Sequence, residues 1–280
     1  MNSPANKLSL LRASIRELGS AAVAFSAGVD STFLLRVAHE ELGGQCVALT
    51  VRAPFVSARE IEEAVAFCRR LGAEHVLLDA EIADIPHFAE NPPDRCYHCK
   101  KALFSKILEF ARKRRLAATI EGSNTDDDRD YRPGARAIRE LGVRSPLRES
   151  GLSKAEIRAL SLELGLPTAS KPSAACLASR VPYGDRIDEA VLARVDRAER
   201  LVSEMFPNLA QLRVRVHGGV ARVEVSAPDV PRVAASRADI EDRLVPLGFT
   251  RVEVDPRGYR MGSLNEEAAL QATGERQKQQ

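Results

Sequence analysis

The sequence predicts an α/β protein: a parallel sheet with helices on both faces, followed by a smaller C-terminal α+β domain. Two observations carry this. Through the first two-thirds of the chain, short apolar runs at 21–25, 45–51, 74–79, 116–121 and 143–147 alternate with amphipathic helical stretches, the pattern of strands buried on both faces by crossover helices. After about residue 186 the order changes to a helix (188–205), two strands (211–217 and 220–226), a helix (229–245) and a strand (249–254). The expected division is 1–185, then 186–270, then a polar, disordered tail at 271–280.

The first strand runs into Phe25-Ser26-Ala27-Gly28-Val29-Asp30-Ser31-Thr32, a Ser/Gly-rich turn that opens a helix. Small residues let backbone N–H groups approach an anion, hydroxyls add donors, and the helix start supplies the positive end of its dipole. This reads as a nucleotide-phosphate site. Walker A chemistry is excluded, because the turn has no Gly-Lys-Ser/Thr ending and no lysine of its own. The methyl of Ala27 is expected to require a negative φ. The bland alternative is a capped helix after a buried strand, with Ser26 or Asp30 as the cap.

The second strand carries Cys46 and the following helix Cys68, both in apolar settings, so both are expected to be small buried hydrophobes. Five cysteines, an odd number, and a start without a signal-peptide core point to reduced thiols in the cytoplasm. Arg112-Lys113-Arg114-Arg115 closes the next helix as a solvated basic turn. The strand at 116–121 leads to Glu121-Gly122-Ser123-Asn124-Thr125-Asp126-Asp127-Asp128-Arg129-Asp130. Carboxylates near a phosphate loop suit Mg²⁺; a solvated turn that caps the next helix suits them nearly as well.

Three cysteines lie among polar residues. Cys96 and Cys99 sit in Asp94-Arg95-Cys96-Tyr97-His98-Cys99, a generic soft-metal spacing. Cys176 lies in Lys171-Pro172-Ser173-Ala174-Ala175-Cys176-Leu177-Ala178-Ser179-Arg180, where nearby cations favour thiolate. Further on, Arg213 and Arg215 alternate along a strand and so share a face, and Gly218-Gly219 marks a hairpin. A net charge of +2 argues against a bulk nucleic-acid binder, and no apolar run reaches the ~18 residues of a membrane span.

The turn at 26–31 resembles the SGGxDS loop of PP-loop ATP pyrophosphatases, with Ala27 in place of the first glycine. With the segments at 121–134, 171–184 and 211–225, the chain resembles the LarE-type sulfur transferases of nickel-pincer nucleotide synthesis over nearly its whole length. The resemblance implies an enzyme that uses ATP and Mg²⁺ to adenylylate a carboxylate of pyridinium-3,5-biscarboxylic acid mononucleotide, with AMP then displaced by sulfur. Ser26, Gly28, Asp30 and Ser31 inherit the nucleotide role, with Asp30 also at magnesium. Arg180 is expected to contact phosphate, and Arg213 and Arg215 to clamp the substrate phosphate, with Glu199 and Glu224 as weaker candidates nearby. The partners implied are this small molecule and a second copy of the chain, with neither nucleic acid nor membrane. Two sulfur sources are open: Cys176 itself, consumed to dehydroalanine, or sulfide on a [4Fe-4S] cluster held by Cys96, Cys99 and Cys176, which the extra cysteine pair favours. Rival readings are a PP-loop amide synthetase, a tRNA thiolase and a non-enzymatic nucleotide sensor.

Overall fold

The computed structural model describes residues 3–129, 133–172, 175–260 and 262–264. Asp130–Arg132, Ser173, Ala174 and the tail expected at 271–280 lie outside them. The chain forms two compact units. One comprises the chain up to Pro86 and Asp94–Ala174, the other His87–Pro93 and the chain from Ala175 onward.

The first unit is a four-stranded sheet in the order β3-β2-β1-β4, with β1 at Ala21–Ala24, β2 at Cys46–Arg52, β3 at Glu74–Asp79 and β4 at Ala118–Ile120. All pairs are parallel. The helices are α1 (Pro4–Glu17), α2 (Val29–Leu42), α3 (Ala58–Leu71), α4 (Arg95–Lys113), α5 (Pro133–Glu140), α6 (Pro146–Glu149) and α7 (Lys154–Glu163). Period-2 alternation along the strands feeds two cores. Ala21, Val23, Cys46 and Ala48 pack with α1, α2, α3 and α7, whereas Ala22, Val47 and Leu49 pack with Ile107 and Ala111 of α4 on the opposite face. Helices therefore cover both faces. Cys46 and Cys68 lie in the first of these cores, and burial pushes both thiols up to about 12.

The run at 143–147 is not a strand. Arg144 makes one isolated parallel bridge to Ile120, and Pro146, with no N–H to extend a ladder, starts α6 instead. The chain crosses from β1 outward to β2 on one side and to β4 on the other. The crevice at the carboxyl ends of β1 and β4 is thus the topological switch point, where open α/β sheets bind ligands.

In the second unit β5 (Leu212–His217) and β6 (Val220–Val225) form the expected hairpin, turned at Gly218 with φ +60°, and β7 (Arg251–Val254) adds parallel to β6. The helices are α8 (Glu189–Met205), α9 (Val230–Ala235) and α10 (Arg237–Leu244). The last two replace one expected helix at 229–245, because the backbone leaves helical values at Ser236. Val214 and Val216 of β5 and Val223 and Val225 of β6 are buried. No helix among the described residues is long and apolar enough to cross a membrane.

His87–Pro93 belongs to this unit through Asn91. That side chain is fully buried, its backbone is left-handed (φ +54°), and its amide nitrogen lies 3.3, 2.6 and 3.1 Å from the carbonyls of Val181, Pro182 and Asp185. Its own carbonyl accepts from Gly184, and that of Ala89 from Ile187. Asn91→Ala should cost about 2–3 kcal/mol, because buried carbonyls lose their donor and alanine tolerates positive φ less well than asparagine. Urea unfolding of the two proteins measures this.

Candidate active site

The turn after β1 is built to present backbone. Helix α2 begins at Val29 with Gly28 as its N-cap and with no side chain capping it, so neither Ser26 nor Asp30 takes the capping role. The hydroxyls instead brace the turn. Ser31 Oγ donates to the Gly28 carbonyl (3.3 Å), accepts from the Ser26 N–H (3.3 Å) and lies 3.1 Å from Ser26 Oγ. Ser26 is exposed, while Ser31 and Thr32 are buried. Among the three hydroxyls, Ser26 is the one presented outward.

Ala27 corrects the expectation of a negative φ. Its φ is +52° and its methyl is buried, although an L-residue in this region costs about 1–2 kcal/mol. Two groups from outside the turn hold it there. Lys171 Nζ donates to the Ala27 carbonyl at 2.9 Å while paired with Glu63 of α3. Thr50 of β2 donates its hydroxyl proton to the Phe25 carbonyl (2.7 Å), so His75 Nε2, 2.9 Å from that hydroxyl, must be the protonated nitrogen. Burial lowers the His75 pKa, in keeping with a neutral ring.

The segment after β4 closes on the same turn. A Cβ on Gly122 would lie 3.0 Å from the Ser31 nitrogen and 3.3 Å from the Asp30 carbonyl carbon, so only glycine fits without displacing the start of α2. Glu121 is buried and accepts from the Ser123 N–H, the Ser123 hydroxyl and the Ser145 hydroxyl. Asp127 accepts from the Asn124 N–H, and Asp126 accepts from the N–H of Lys154 at the start of α7. These carboxylates are taken up by nearby N–H groups and hydroxyls. Asp30 differs. One of its oxygens meets Lys154 Nζ, and the other is buried without a partner. Burial, eased by Lys154, raises its pKa. An orphan carboxylate oxygen beside an uncapped helix start is a donor suited to Mg²⁺, which takes one or two carboxylates and completes its shell with phosphate and water.

In the second unit the candidate residues cluster. Arg180, Arg213, Arg215 and Glu224 are each under 9% exposed. Arg180 forms a bidentate pair with Glu199 (2.8 and 2.9 Å) and points Nη1 at the carbonyls of Ala175 (2.6 Å) and Cys176 (3.0 Å). It therefore grips the loop that carries Cys176. Arg215 donates to Glu224 (2.6 Å), to the Ser179 carbonyl (2.9 Å) and to Ser263 Oγ (2.8 Å). Arg213 donates to the Leu212 carbonyl and stacks over Tyr259, 5.2 Å from the ring centre. Burial and the nearby Arg180 push its pKa down. The described residues here thus bring Arg180, Arg213 and Arg215 together with Glu199 and Glu224. Cys176 is half-buried at the head of the turn Leu177–Arg180.

The chain matches no protein-family profile. It is 38% identical to an uncharacterized protein of Synechocystis over 93% of its own length and 97% of that protein. It is 33% identical to the pyridinium-3,5-bisthiocarboxylic acid mononucleotide synthase of Lactiplantibacillus plantarum, over 94% of this chain and 95% of the synthase. The chain belongs to the LarE-type sulfur transferases. A tRNA-specific 2-thiouridylase of Acidithiobacillus ferrooxidans is 30% identical over 59% of the chain and 55% of the thiouridylase.

The three cysteines expected to carry chemistry lie in different settings. Cys96 is exposed and Cys99 half-buried; they lie three residues apart in the first turns of α4, so they share a face. Neither they nor Cys176 is in a disulfide. Among the described residues no three His, Cys, Asp or Glu side chains are grouped to hold a metal ion. Cys96 and Cys99 belong to the first unit and Cys176 to the second.

The electrostatics of the second unit separate its two strand arginines. Arg215→Met should destabilise by about 3–5 kcal/mol, because Glu224 is left buried and uncompensated. Arg213→Met should destabilise less than Arg215→Met, because burial and the nearby Arg180 already work against the Arg213 charge. Thermal unfolding of both variants without ligand measures the contrast.

Proposed function

We propose that this LarE-type chain is an ATP-dependent sulfur transferase that adenylylates a carboxylate of pyridinium-3,5-biscarboxylic acid mononucleotide and converts it to a thiocarboxylate. The observation that carries the reading is the uncapped start of α2 at the β1/β4 switch point, with the unpartnered oxygen of Asp30 beside it. The relative named for the bisthiocarboxylic product supports the choice of substrate.

Ser26, Gly28 and Ser31 shape a turn whose N–H groups receive the phosphates of ATP, and Asp30 would hold the accompanying Mg²⁺. Bound there, Mg²⁺ neutralises phosphate charge and polarises the α-phosphorus. The substrate carboxylate attacks that phosphorus, pyrophosphate leaves, and the acyl-adenylate has AMP as its leaving group. Arg213 and Arg215 bind the substrate phosphate, with Glu224 and Glu199 holding the cluster in register. Arg180 positions Cys176 through the carbonyls of Ala175 and Cys176.

The thiolate of Cys176 attacks the acyl carbon and displaces AMP, giving a thioester. Loss of the Cα proton to a base then drives the Cβ–Sγ bond to break. Sulfur leaves with that electron pair as thiocarboxylate, and dehydroalanine remains at 176. No oxidant or reductant is consumed. Cys96 and Cys99 have no place in these steps.

The expected products are AMP and pyrophosphate, resolved by chromatography, with stoichiometric dehydroalanine at 176 seen by mass spectrometry. Asp30→Asn should abolish AMP formation, whereas Cys176→Ala should still form acyl-adenylate and exchange labelled pyrophosphate without transferring sulfur. Release of ADP and phosphate would overturn the loop assignment. An intact Cys176 after turnover, with transfer lost in Cys96→Ala and Cys99→Ala, would overturn the single-use cysteine.

A further inference from the structure

Arg180 and Arg215 are oriented by their N–H groups. Arg180 spends Nε and Nη2 on Glu199 and Nη1 on the carbonyls of Ala175 and Cys176. Arg215 spends the same three nitrogens on Glu224, the Ser179 carbonyl and Ser263 Oγ. Arg213 is also held through the face of its guanidinium. Its Cζ lies over the ring of Tyr259, 5.2 Å from the centre, while Nη1 donates to the Leu212 carbonyl beside it. Stacking engages the π-face of a guanidinium and uses none of the N–H groups in its plane. It thereby fixes the plane in which an oxyanion is gripped by two parallel N–H bonds.

A ring can orient an arginine only if the ring is itself fixed, and the chain after β7 holds Tyr259 still. Beyond Val254 the backbone keeps alongside β6: the Asp255 N–H donates to the Val223 carbonyl (2.9 Å) and the Tyr259 N–H to the Val225 carbonyl (2.7 Å). Between these anchors the turn is closed by the Gly258 N–H on the Asp255 carbonyl (3.0 Å) and the Arg257 N–H on Asp255 Oδ1 (2.8 Å). Gly258 has φ +68°, and a Cβ there would lie 2.7 Å from the Val225 carbonyl oxygen, so a side chain at 258 would push Tyr259 off the strand. Val223 and Val225 flank Glu224, the cross-strand partner of Arg213. The stretch of β6 that pairs with Arg213 is therefore the stretch that anchors the ring beneath it.

We propose that Tyr259 is the positioning residue of Arg213, holding its guanidinium plane in the orientation that grips the phosphate of the mononucleotide. Burial and Arg180 work against the Arg213 charge, while Glu199 and Tyr259 work in its favour. An aromatic face supports a cation through its quadrupole without neutralising it. A carboxylate in its place would compete with phosphate for the same N–H groups.

This rests on the reading of the arginine cluster as the substrate-phosphate site, and calorimetry on the full chain separates the two. The ligands are pyridinium-3,5-biscarboxylic acid mononucleotide and the nucleoside left when its phosphate is removed; the variants are Tyr259→Leu, Tyr259→Phe, Arg213→Gln and the double variant of Tyr259→Leu with Arg213→Gln. Tyr259→Leu should bind the mononucleotide about tenfold more weakly, the loss of one desolvated cation–π contact. It should bind the nucleoside as wild type does, which also shows that the second unit is folded. Tyr259→Phe keeps the ring face and should stay within about twofold of wild type. The double variant should bind no more weakly than Arg213→Gln alone, because the ring acts through the arginine. Unchanged mononucleotide affinity in Tyr259→Leu, an equal loss for both ligands, or a further loss in the double variant would overturn the assignment while Arg213→Gln still weakens the mononucleotide alone. An Arg213→Gln variant that binds both ligands as wild type does would instead overturn the reading of the cluster.

Discussion

A helix start that no side chain satisfies is the constraint on which the first unit is organised. Orphan N–H groups at a helix N-terminus are ordinarily met by a Ser, Thr, Asp or Asn cap. Here candidates of that kind are present and turned elsewhere. Ser31 braces the Gly28 carbonyl, Thr32 is enclosed, and Asp30 faces Lys154. Leaving the first turn of α2 open forgoes about 1 kcal/mol of capping, and the left-handed Ala27 adds strain of similar size. Strain concentrated in one turn persists when its surroundings over-determine it. Lys171 and the His75–Thr50–Phe25 relay do this from three separate elements.

The second unit meets the opposite problem, too much charge with too little water. Burying three arginines is tolerable where carboxylates and carbonyls take up their donors. Arg180 and Arg215 are satisfied in this way, by Glu199, Glu224 and the carbonyls of residues 175, 176 and 179. Arg213 is less well placed, since burial and Arg180 both work against its charge. Perturbed groups of this sort gather at functional sites more than elsewhere.

The sequence shows the strands and the phosphate turn because both are written in local pattern. Ala21–Ala24 and Cys46–Arg52 alternate faces within a few residues, and the turn is contiguous. What it hides depends on long-range packing. Residues 143–147 have a strand's composition, but the decision lies with Pro146. Asn91 looks like an ordinary loop residue until residues 181–185 close around it. Lys154 lies outside every motif. A helix-opening lysine beside Ser153 and Glu156 signals only a capping box, and nothing local relates it to Asp30. The residue type at 27 suggests a negative φ, whereas the turn is braced at φ +52° by Lys171 from 144 positions away and by Thr50.

Cys96, Cys99 and Cys176 show the same limit from the other direction. Three polar-set thiols invite a shared cluster, and that step infers proximity from chemical likeness. Cys96 and Cys99 are neighbours because a helix makes residues i and i+3 neighbours; Cys176 belongs to the other unit. The local surroundings of Cys176 are more informative than its likeness to the other two. Arg180 spends its guanidinium on Glu199 and on the carbonyls of Ala175 and Cys176, fixing the backbone on both sides of the peptide that bears the thiol. A metal ligand is held by its metal once bound, whereas a nucleophile must be aimed by the protein alone. Arg180 therefore positions the backbone that bears Cys176 and leaves the thiol itself half-buried.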